Sequence, residues 1–214
     1  MGRKLKSATR TISNSGEYPR FIGEFPCSKS NGNKRPFDSL TALLVGIFLE
    51  WLKRVVTIAF EPRIWTVTIN GKTITVIPDY EVVTITGAIE IFEAKYDWES
   101  LSAEEKELLL AICRWFASQG ITYRVITRKI LERKGFIQTI SKLRRYGQLT
   151  YSKPVLERAL KQLVSPIPKT LRAYAALGRE RNIPVSVVYH LAYHQQLRLR
   201  YELPRHEELE LCRA

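Results

Sequence analysis

Three residues whose side chains suit metal-dependent phosphate chemistry lie in one segment, PDYEVVTITGAIEIFEAK, at positions 78–95. Asp79 and Glu93 are carboxylates, and a strand would place Glu93 and Lys95 on one face because alternate residues share a side. A hairpin of this length can bring Asp79 beside Glu93. Two carboxylates about 4 Å apart repel by roughly 4 kcal/mol at an effective dielectric constant near 20, and a cation between them removes that repulsion. We therefore predict a site for Mg²⁺, for which Mn²⁺ can substitute, since both ions favour oxygen ligands.

The same segment supplies candidates for the other roles at such a site. The main-chain carbonyl of Ala94 is a candidate third ligand. Lys95 is a candidate to orient an attacking water or to offset the charge that builds on the phosphate. A bound metal would make that water more acidic and stabilise the pentacovalent phosphorus. The simpler interpretation is that these side chains face solvent, since strand pairs with scattered Asp, Glu and Lys are common.

Local signals predict the elements that must position these residues. Asp38 or Ser39 can cap an apolar helix that begins there. Asn70-Gly71 lies between β-branched runs and predicts a type I′ hairpin, and Gly87 predicts another turn. Together these signals indicate an antiparallel meander of three or four strands.

A second helix and a further strand are predicted to complete the core. Ser102 and Glu105 have the spacing of a capping box, which predicts a helix start. Gly120 stands where that helix would end. ITYRVIT, residues 121–127, has the composition of a strand that returns to the sheet. Helix, meander, helix and strand predict a compact α/β core over residues 37–127.

Two basic flanks enclose an acidic centre. Residues 1–36 hold 8 Lys or Arg against 2 acids, residues 37–120 hold 7 against 12, and residues 121–214 hold 19 against 7. This distribution is typical of a polyanion-binding protein whose middle gathers carboxylates for a cation, and the alternative is a generally basic protein with a solvated surface. We expect residues 1–36 to form a mostly irregular basic arm.

The region 128–214 is predicted to contain short basic helices, with Pro154 and Pro168 near two helix starts. LRLRYEL, residues 197–203, alternates like a strand. This order outlines a helix-turn-helix or winged-helix module that contacts DNA, and a small helical packing domain is the alternative. Phosphate contacts are predicted for seven basic residues: Lys29, Arg144, Arg145, Lys169, Arg172, Arg179 and Arg181.

His190 and His194 are four positions apart and would share one helix face. Two histidines at this spacing can bind a metal, but no third ligand lies nearby in the sequence. We expect phosphate contacts or simple surface placement instead.

The cysteines and the apolar runs indicate the compartment. Cys27, Cys113 and Cys212 are scattered without a C-x-x-C pair, which favours reduced thiols over a disulfide or a zinc site. The longest apolar run, LTALLVGIFL, falls short of the roughly 20 residues that span a bilayer. No signal peptide opens the chain. We therefore predict a cytoplasmic, nucleoid-associated protein with no membrane partner.

Read together, these segments resemble the PD-(D/E)xK nuclease superfamily and, within it, the TnsA family, the endonuclease subunits of heteromeric bacterial transposases. The resemblance implies a restriction-endonuclease-like core, with a mixed sheet flanked by helices, and a C-terminal, mostly helical, winged-helix-like module. The stretches that carry it are GEFPCSK (23–29), RPFDSL (35–40), LEWLKRVVTIAFEP (49–62), VIPDYEV (76–82), FEAK (92–95) and GITYRVIT (120–127).

The chain departs from the family pattern at one catalytic position. The resemblance implies a further acidic metal ligand three residues after Ser39, where this chain has Ala42. An introduced Glu→Ala substitution that stops cleavage, a naturally inactive member, and relocation of the acid to Glu50 are the three interpretations. Glu50 lies about 12 Å further along the helix and about 80° around it, which disfavours relocation.

The resemblance implies a metal-dependent DNA endonuclease that hydrolyses the 5′-end, non-transferred strands of a transposon during cut-and-paste transposition. Its implied partners are the transposon-end DNA, a TnsB-type transposase that cuts and joins the 3′ ends, and a TnsC-type AAA+ ATPase. Two alternatives remain. One is a stand-alone PD-(D/E)xK restriction or repair nuclease, and the other is a non-catalytic winged-helix DNA-binding adaptor.

Overall fold

A computed structural model of the 214-residue chain describes residues 4–6, 11–13, 21–30, 34–164, 168, 170–197 and 199. The chain divides into two compact units, and the boundary lies between Arg133 and Lys134.

The first unit is built around a mixed four-stranded sheet. Its elements in chain order are β1 (Lys4–Lys6), β2 (Thr11–Ser13), β3 (Gly23–Pro26), β4 (Lys34–Phe37), α1 (Leu40–Trp51), β5 (Val55–Phe60), β6 (Trp65–Ile69), β7 (Lys72–Val76), β8 (Tyr80–Thr84), β9 (Ile89–Lys95), α2 (Ala103–Ser118), β10 (Thr122–Thr127) and α3 (Arg128–Glu132). The sheet has the order β10-β9-β8-β5, in which β9 and β10 are parallel and the other neighbours are antiparallel. The predicted α/β core is confirmed at this level: a mixed sheet flanked by helices.

Helices cover both faces of this sheet. Tyr80 of β8 reaches α1, where its hydroxyl donates to the carbonyl of Ala42. Ile91 of β9 belongs instead to a buried cluster with Leu109 and Phe116 of α2. Tyr80 pairs with Phe92, and adjacent residues of a strand point to opposite faces, so α1 and α2 lie on opposite sides.

The predicted helix and turn signals have their expected local structures. The Ser39 hydroxyl caps α1 by accepting the Ala42 amide hydrogen at 3.0 Å, and both bonds of the capping box join Ser102 and Glu105 at the start of α2. Asn70 and Gly71 have φ values of 51° and 75°, and a type I′ turn requires positive φ at both positions.

The Asn70-Gly71 hairpin does not belong to the main sheet, which differs from the predicted meander. Among the strands that the structure describes, β6 and β7 pair with each other alone, and β5 pairs directly with β8. The hairpin packs through Val67 and Val76 into the same buried cluster as α2. Its register follows from the turn, whereas its position follows from apolar packing between segments far apart in sequence.

A mostly irregular arm was expected for residues 1–36, and the described part of this segment contains short paired strands. Strands β1 and β2 form one antiparallel pair, and β3 and β4 form another. The second pair is stabilised by the buried rings of Phe25 and Phe37, whose centroids are 6.4 Å apart. The high content of Ser, Asn, Gly and Lys favoured an irregular arm, so the strands that these apolar residues stabilise were not predicted.

The described part of the second unit is helical. A short 3₁₀ turn at Arg133–Gly135 leads into α4 (Phe136–Gly147), followed by α5 (Lys153–Leu163), α6 (Leu171–Glu180) and α7 (Val185–Tyr193). Helix α7 is apolar and packs against α4, α5 and α6. The predicted strand at residues 197–203 lies mostly outside the described residues.

Helices α6 and α7 are joined by a four-residue turn in which Asn182 has a left-handed φ of 57°. The Ile183 amide donates to the Gly178 carbonyl at 2.7 Å. A Cβ atom at Gly178 would lie 2.8 Å from the side chain of Val188, so only glycine permits this close crossing. Two helices joined by a short turn are one part of the predicted helix-turn-helix pattern.

None of the helices in the described ranges combines the length and the apolar character that a bilayer crossing requires.

Candidate active site

The β8–β9 register brings Asp79 and Glu93 to the same end of the sheet. Tyr80 pairs with Phe92 in this antiparallel register. The residue before Tyr80 is therefore opposite the residue after Phe92, which sets Asp79 opposite Glu93. Asp79 Oδ2 accepts the main-chain amide hydrogen of Ala94 at 2.7 Å, which fixes its carboxylate against β9. The side-by-side placement that the hairpin length predicted is therefore present.

Both oxygens of the Glu93 carboxylate have partners. Lys95 Nζ donates to Oε1 at 2.7 Å, and the Tyr123 hydroxyl donates to Oε2 at 3.2 Å. Tyr123 lies on β10, the parallel neighbour of β9, and its ring stacks on Phe116 of α2. Sequence reasoning missed Tyr123, because its approach to Glu93 depends on a parallel pairing that only the crossover through α2 creates.

The acid pair sets an unfavourable environment for negative charge. Burial raises the pKa of Asp79 well above its ordinary value, and the neighbouring Glu93 charge raises it further, with a smaller contribution from Asp38. The Ala94 amide and the Lys95 ammonium act in the opposite direction on the Asp79 pKa without cancelling the rise. A carboxylate in such surroundings is stabilised by an added cation.

The other two polar groups at this end keep their protons. Burial alone would lower the pKa of Lys95, but the charge and the hydrogen bond of Glu93 raise it above its ordinary value. Burial, with the charges of Glu93 and Asp79, raises the pKa of the Tyr123 phenol well above its usual range. Lys95 is therefore an ammonium and Tyr123 a hydrogen-bond donor at neutral pH.

Position 42 lies beside this end of the sheet. The Tyr80 hydroxyl donates to the Ala42 carbonyl at 2.6 Å, and Tyr80 follows Asp79 directly. Ala42 is only 1% exposed, so a longer side chain there must extend through the packed contact between α1 and the sheet. Position 42 therefore contacts the residue that follows Asp79.

Glu50, the alternative location for the missing acid, is engaged elsewhere. Its Oε1 accepts from the Ser28 amide at 2.7 Å and from the Ser28 hydroxyl at 2.9 Å. Its side chain is buried. These contacts argue against relocation of the acid to Glu50.

The donors gathered here fit a magnesium-type ion with few protein ligands. No group of three or more His, Cys, Asp or Glu side chains within the described ranges is close enough to hold a metal ion together. Asp79 and Glu93 with the Ala94 carbonyl offer two carboxylates and a neutral oxygen. Mg²⁺ typically takes one or two carboxylates and completes its shell with water and substrate phosphate.

The residues predicted to contact phosphate have varied surroundings. Lys29 Nζ donates to the Leu52 carbonyl at 2.5 Å, and burial lowers its pKa to about 8 although the Glu50 charge opposes this. Arg181 donates to the Gln162 carbonyl, which ties the α6–α7 turn to the end of α5. Three of the predicted arginines are exposed on α4 and α6, Arg144 is half-buried, and Lys169 lies outside the described residues; the exposed ones are Arg145, Arg172 and Arg179.

His190 and His194 bind the end of a neighbouring helix. His190 Nδ1 lies 3.0 Å from the Tyr146 carbonyl, and His194 Nε2 lies 3.0 Å from the Gly147 carbonyl. The last carbonyls of a helix lack intrahelical partners, so the two rings cap α4 from α7. His190 is buried, and the simple surface placement expected for it is wrong.

No family model and no curated protein matches this chain. The resemblance to the PD-(D/E)xK nucleases stays a prediction from the quoted motifs.

Proposed function

We propose that the chain is a metal-dependent DNA endonuclease of the PD-(D/E)xK type, with the role of a TnsA-like transposase subunit, and that Ala42 impairs its cleavage. The observation that carries this proposal is the meeting of Asp79, Glu93 and Lys95 at one end of a mixed sheet, with the Ala94 amide fixing Asp79. An ordinary solvated strand pair gives no reason for two half-buried acids that face each other beside a lysine.

The residues divide the work of phosphodiester hydrolysis. Asp79, Glu93 and the Ala94 carbonyl would hold Mg²⁺ or Mn²⁺, which supplies an acidic water and charge stabilisation when bound. Tyr123 keeps the Glu93 carboxylate oriented through Oε2. Lys95, an ammonium two residues along β9, is positioned to offset the negative charge that develops on the phosphate.

Ala42 favours a second candidate function, a DNA-binding adaptor with an inactive nuclease core. The resemblance implies an acid at this position, and a methyl group cannot ligate an ion. The helix-turn-helix arrangement of α6 and α7, with its basic surroundings, supports DNA binding under either proposal.

A comparison of the Ala42→Glu variant with the unchanged chain tests the catalytic proposal. We expect Ala42→Glu to nick supercoiled DNA in Mg²⁺ at least about a hundredfold faster than the unchanged chain, since one lost charge-stabilising group typically costs 10²–10³ in rate. Ala42→Gln is the matched control, because it has the same size without the charge, and it should stay slow. Because position 42 is buried, both variants need a thermal unfolding measurement alongside.

The same assay separates the alternatives. Folded Ala42→Glu protein that nicks no faster than Ala42→Gln, both alone and with a TnsB-type transposase and a TnsC-type ATPase, would support the adaptor and refute the catalytic proposal. Rapid double-strand cleavage by Ala42→Glu alone would favour a stand-alone nuclease. Cleavage confined to transposon-type ends, and only with a TnsB-type transposase and a TnsC-type ATPase, would favour the transposase subunit.

A further inference from the structure

An exposed aromatic ring lies directly beyond the candidate active site. Tyr96 follows Lys95, and 56% of its surface is accessible. Strands β9 and β10 are parallel, with Lys95 paired to Thr127, so Tyr96 and Arg128 are the first residues beyond the same sheet edge. The Arg128 guanidinium carbon lies 5.6 Å from the centre of the Tyr96 ring, within the range of a cation–π contact.

This pair of residues, named here the Tyr96 platform, is held in place by its neighbours. The Lys129 amide donates to the Tyr96 carbonyl at 3.1 Å, and Lys129 Nζ donates to the buried Asp97 carboxylate at 2.5 Å. Arg128 Nε donates to Glu132 at 2.8 Å, which fixes the plane of the guanidinium. The platform is therefore organised before any ligand arrives, which lowers the entropy cost of binding.

An aromatic ring paired with a guanidinium is suited to a nucleic-acid base next to a phosphate. Bases stack on exposed tyrosine rings regardless of sequence, because every base has a flat face. Arginine contributes both a stacking plane and a charge for the adjoining phosphate. A base can stack on a side chain only when it is unpaired or splayed out of the duplex.

We propose that the Tyr96 platform stacks an unpaired nucleobase beside the scissile phosphate, so that the substrate is DNA with a single-stranded or frayed segment at that point. The location of the scissile phosphate rests on the proposed nuclease site at Asp79 and Glu93. The stacking itself depends only on Tyr96 and Arg128.

The platform can be tested by fluorescence anisotropy with the full chain in EDTA, using a labelled 20-nucleotide single strand and the corresponding blunt duplex. Tyr96→Ala should weaken single-strand binding by about tenfold and leave duplex binding within about twofold. Tyr96→Phe keeps a stacking ring and should bind within about twofold of the unchanged chain. Ile85→Ala is the matched control, because Ile85 is 71% exposed in the turn at the opposite end of β8 and β9.

Two results would overturn the inference. One is a Tyr96→Ala protein that binds the single strand as tightly as the Ile85→Ala protein does. The other is a Tyr96→Phe protein as weak as Tyr96→Ala, which would assign the effect to the hydroxyl group. Since the ring is exposed, we expect the unfolding midpoint to stay unchanged in all three variants.

The nicking assay of the Ala42→Glu chain keeps this inference distinct from the proposed function. Metal-dependent nicking by Ala42→Glu, combined with normal single-strand binding by Tyr96→Ala, would refute the stacking inference and support the nuclease proposal. No nicking, with or without the TnsB-type and TnsC-type partners, combined with a tenfold loss of single-strand binding in Tyr96→Ala would support the platform and refute the nuclease. A folded chain that binds neither DNA probe would refute both.

Discussion

Asp79 lies in a place that suits an uncharged group better than a carboxylate. Its burial and the adjacent Glu93 raise its pKa, and a single main-chain donor at Ala94 only partly compensates. Like charges directly opposite each other on paired strands are destabilising. The protein is therefore less stable at this residue than it would be with an uncharged side chain, which is common at functional sites.

Replacing Asp79 by Asn should stabilise the metal-free protein. The Asn side-chain oxygen can still accept the Ala94 amide hydrogen, while the repulsion with Glu93 disappears. Because the folded-state pKa of Asp79 is raised, the unfolded chain releases this proton at lower pH than the folded chain does, so stability falls as pH rises between the two pKa values. Asp79→Asn has no carboxyl group at this position, so its stability does not fall with pH for this reason. Its advantage should grow as the pH rises above the ordinary Asp pKa of 3.8 and reach roughly 0.2–1 kcal/mol.

Thermal unfolding of Asp79→Asn at several pH values in EDTA measures this effect. Glu81→Gln is the matched control, because Glu81 is a β8 carboxylate that forms an ion pair with Arg63 at 2.7 Å. We expect no gain in that variant. An Asp79→Asn midpoint equal to or below that of the unchanged chain across the range would contradict this description of the charge balance.

For single residues, the sequence predicted that two acids and a lysine would meet, but it did not predict the side chains that hold them in place. The spacing of Asp79, Glu93 and Lys95 was sufficient because a hairpin pairs residues close in sequence. Tyr123 and the helix-capping role of His190 were not predictable, since each depends on contacts across 30 or more positions.

Helix α1 approaches the sheet closely because of one glycine. A Cβ atom at Gly46 would lie 2.6 Å from the Phe25 ring and 2.7 Å from the Tyr80 hydroxyl. The same hydroxyl donates to the Ala42 carbonyl one turn earlier. Gly46 thus sets the separation at which position 42 lies beside the residue that follows Asp79.

Gly46→Ala should destabilise the protein, although alanine is the better helix former. Glycine in a helix interior costs about 0.5–1 kcal/mol relative to alanine, so an unhindered site would gain stability. Here the added methyl group must displace Phe25 or Tyr80, and such overpacking typically costs about 1–3 kcal/mol. Urea unfolding gives the sign directly, and a variant more stable than the unchanged chain would show that α1 is not packed this closely.

Local turn chemistry fixed the elements, and tertiary packing fixed their arrangement. Asn70-Gly71 was enough to predict the β6–β7 hairpin, because a type I′ turn needs those residues. Its separation from the sheet follows from the direct pairing of Phe60 with Tyr80, which joins segments on either side of the hairpin. The paired strands before α1 were missed because the apolar residues that stabilise them are few.

The whole molecule carries a strong and uneven positive charge. The chain has a formal net charge of +13, and residues 134–203 hold 13 Lys or Arg against 3 acids. Helix α7 is largely buried, so the exposed basic residues of this unit lie on the helices around it. Arg172 and Arg179 of α6 are two such residues. This distribution favours contacts with the phosphate backbone, which carry no sequence information by themselves.

Affinity for duplex DNA should therefore fall steeply with salt. Each neutralised phosphate contributes about −0.9 to the slope of log K against log salt concentration, so five contacts predict a slope near −4.5. The double variant Arg172→Ala with Arg179→Ala should reduce the magnitude of that slope by about 2. Anisotropy titrations between 50 and 200 mM salt, a range in which such binding changes strongly, provide the measurement.

Lys72→Ala is the control for this titration, because Lys72 is exposed on the β6–β7 hairpin of the first unit. It should leave the slope unchanged. A slope near zero in the unchanged chain would count against phosphate-dominated binding.

The Glu93–Lys95 pair gives the protein a built-in counter-ion. A chain that folds where magnesium is scarce already has one of its two paired acids neutralised, so chelators should not unfold it. Under the proposed function, metal loading would be an exchange in which the half-buried Lys95 side chain withdraws from Glu93 as the metal arrives. The rate at which an active site forms would then depend on the metal concentration and on DNA binding, and not on slow refolding of the site.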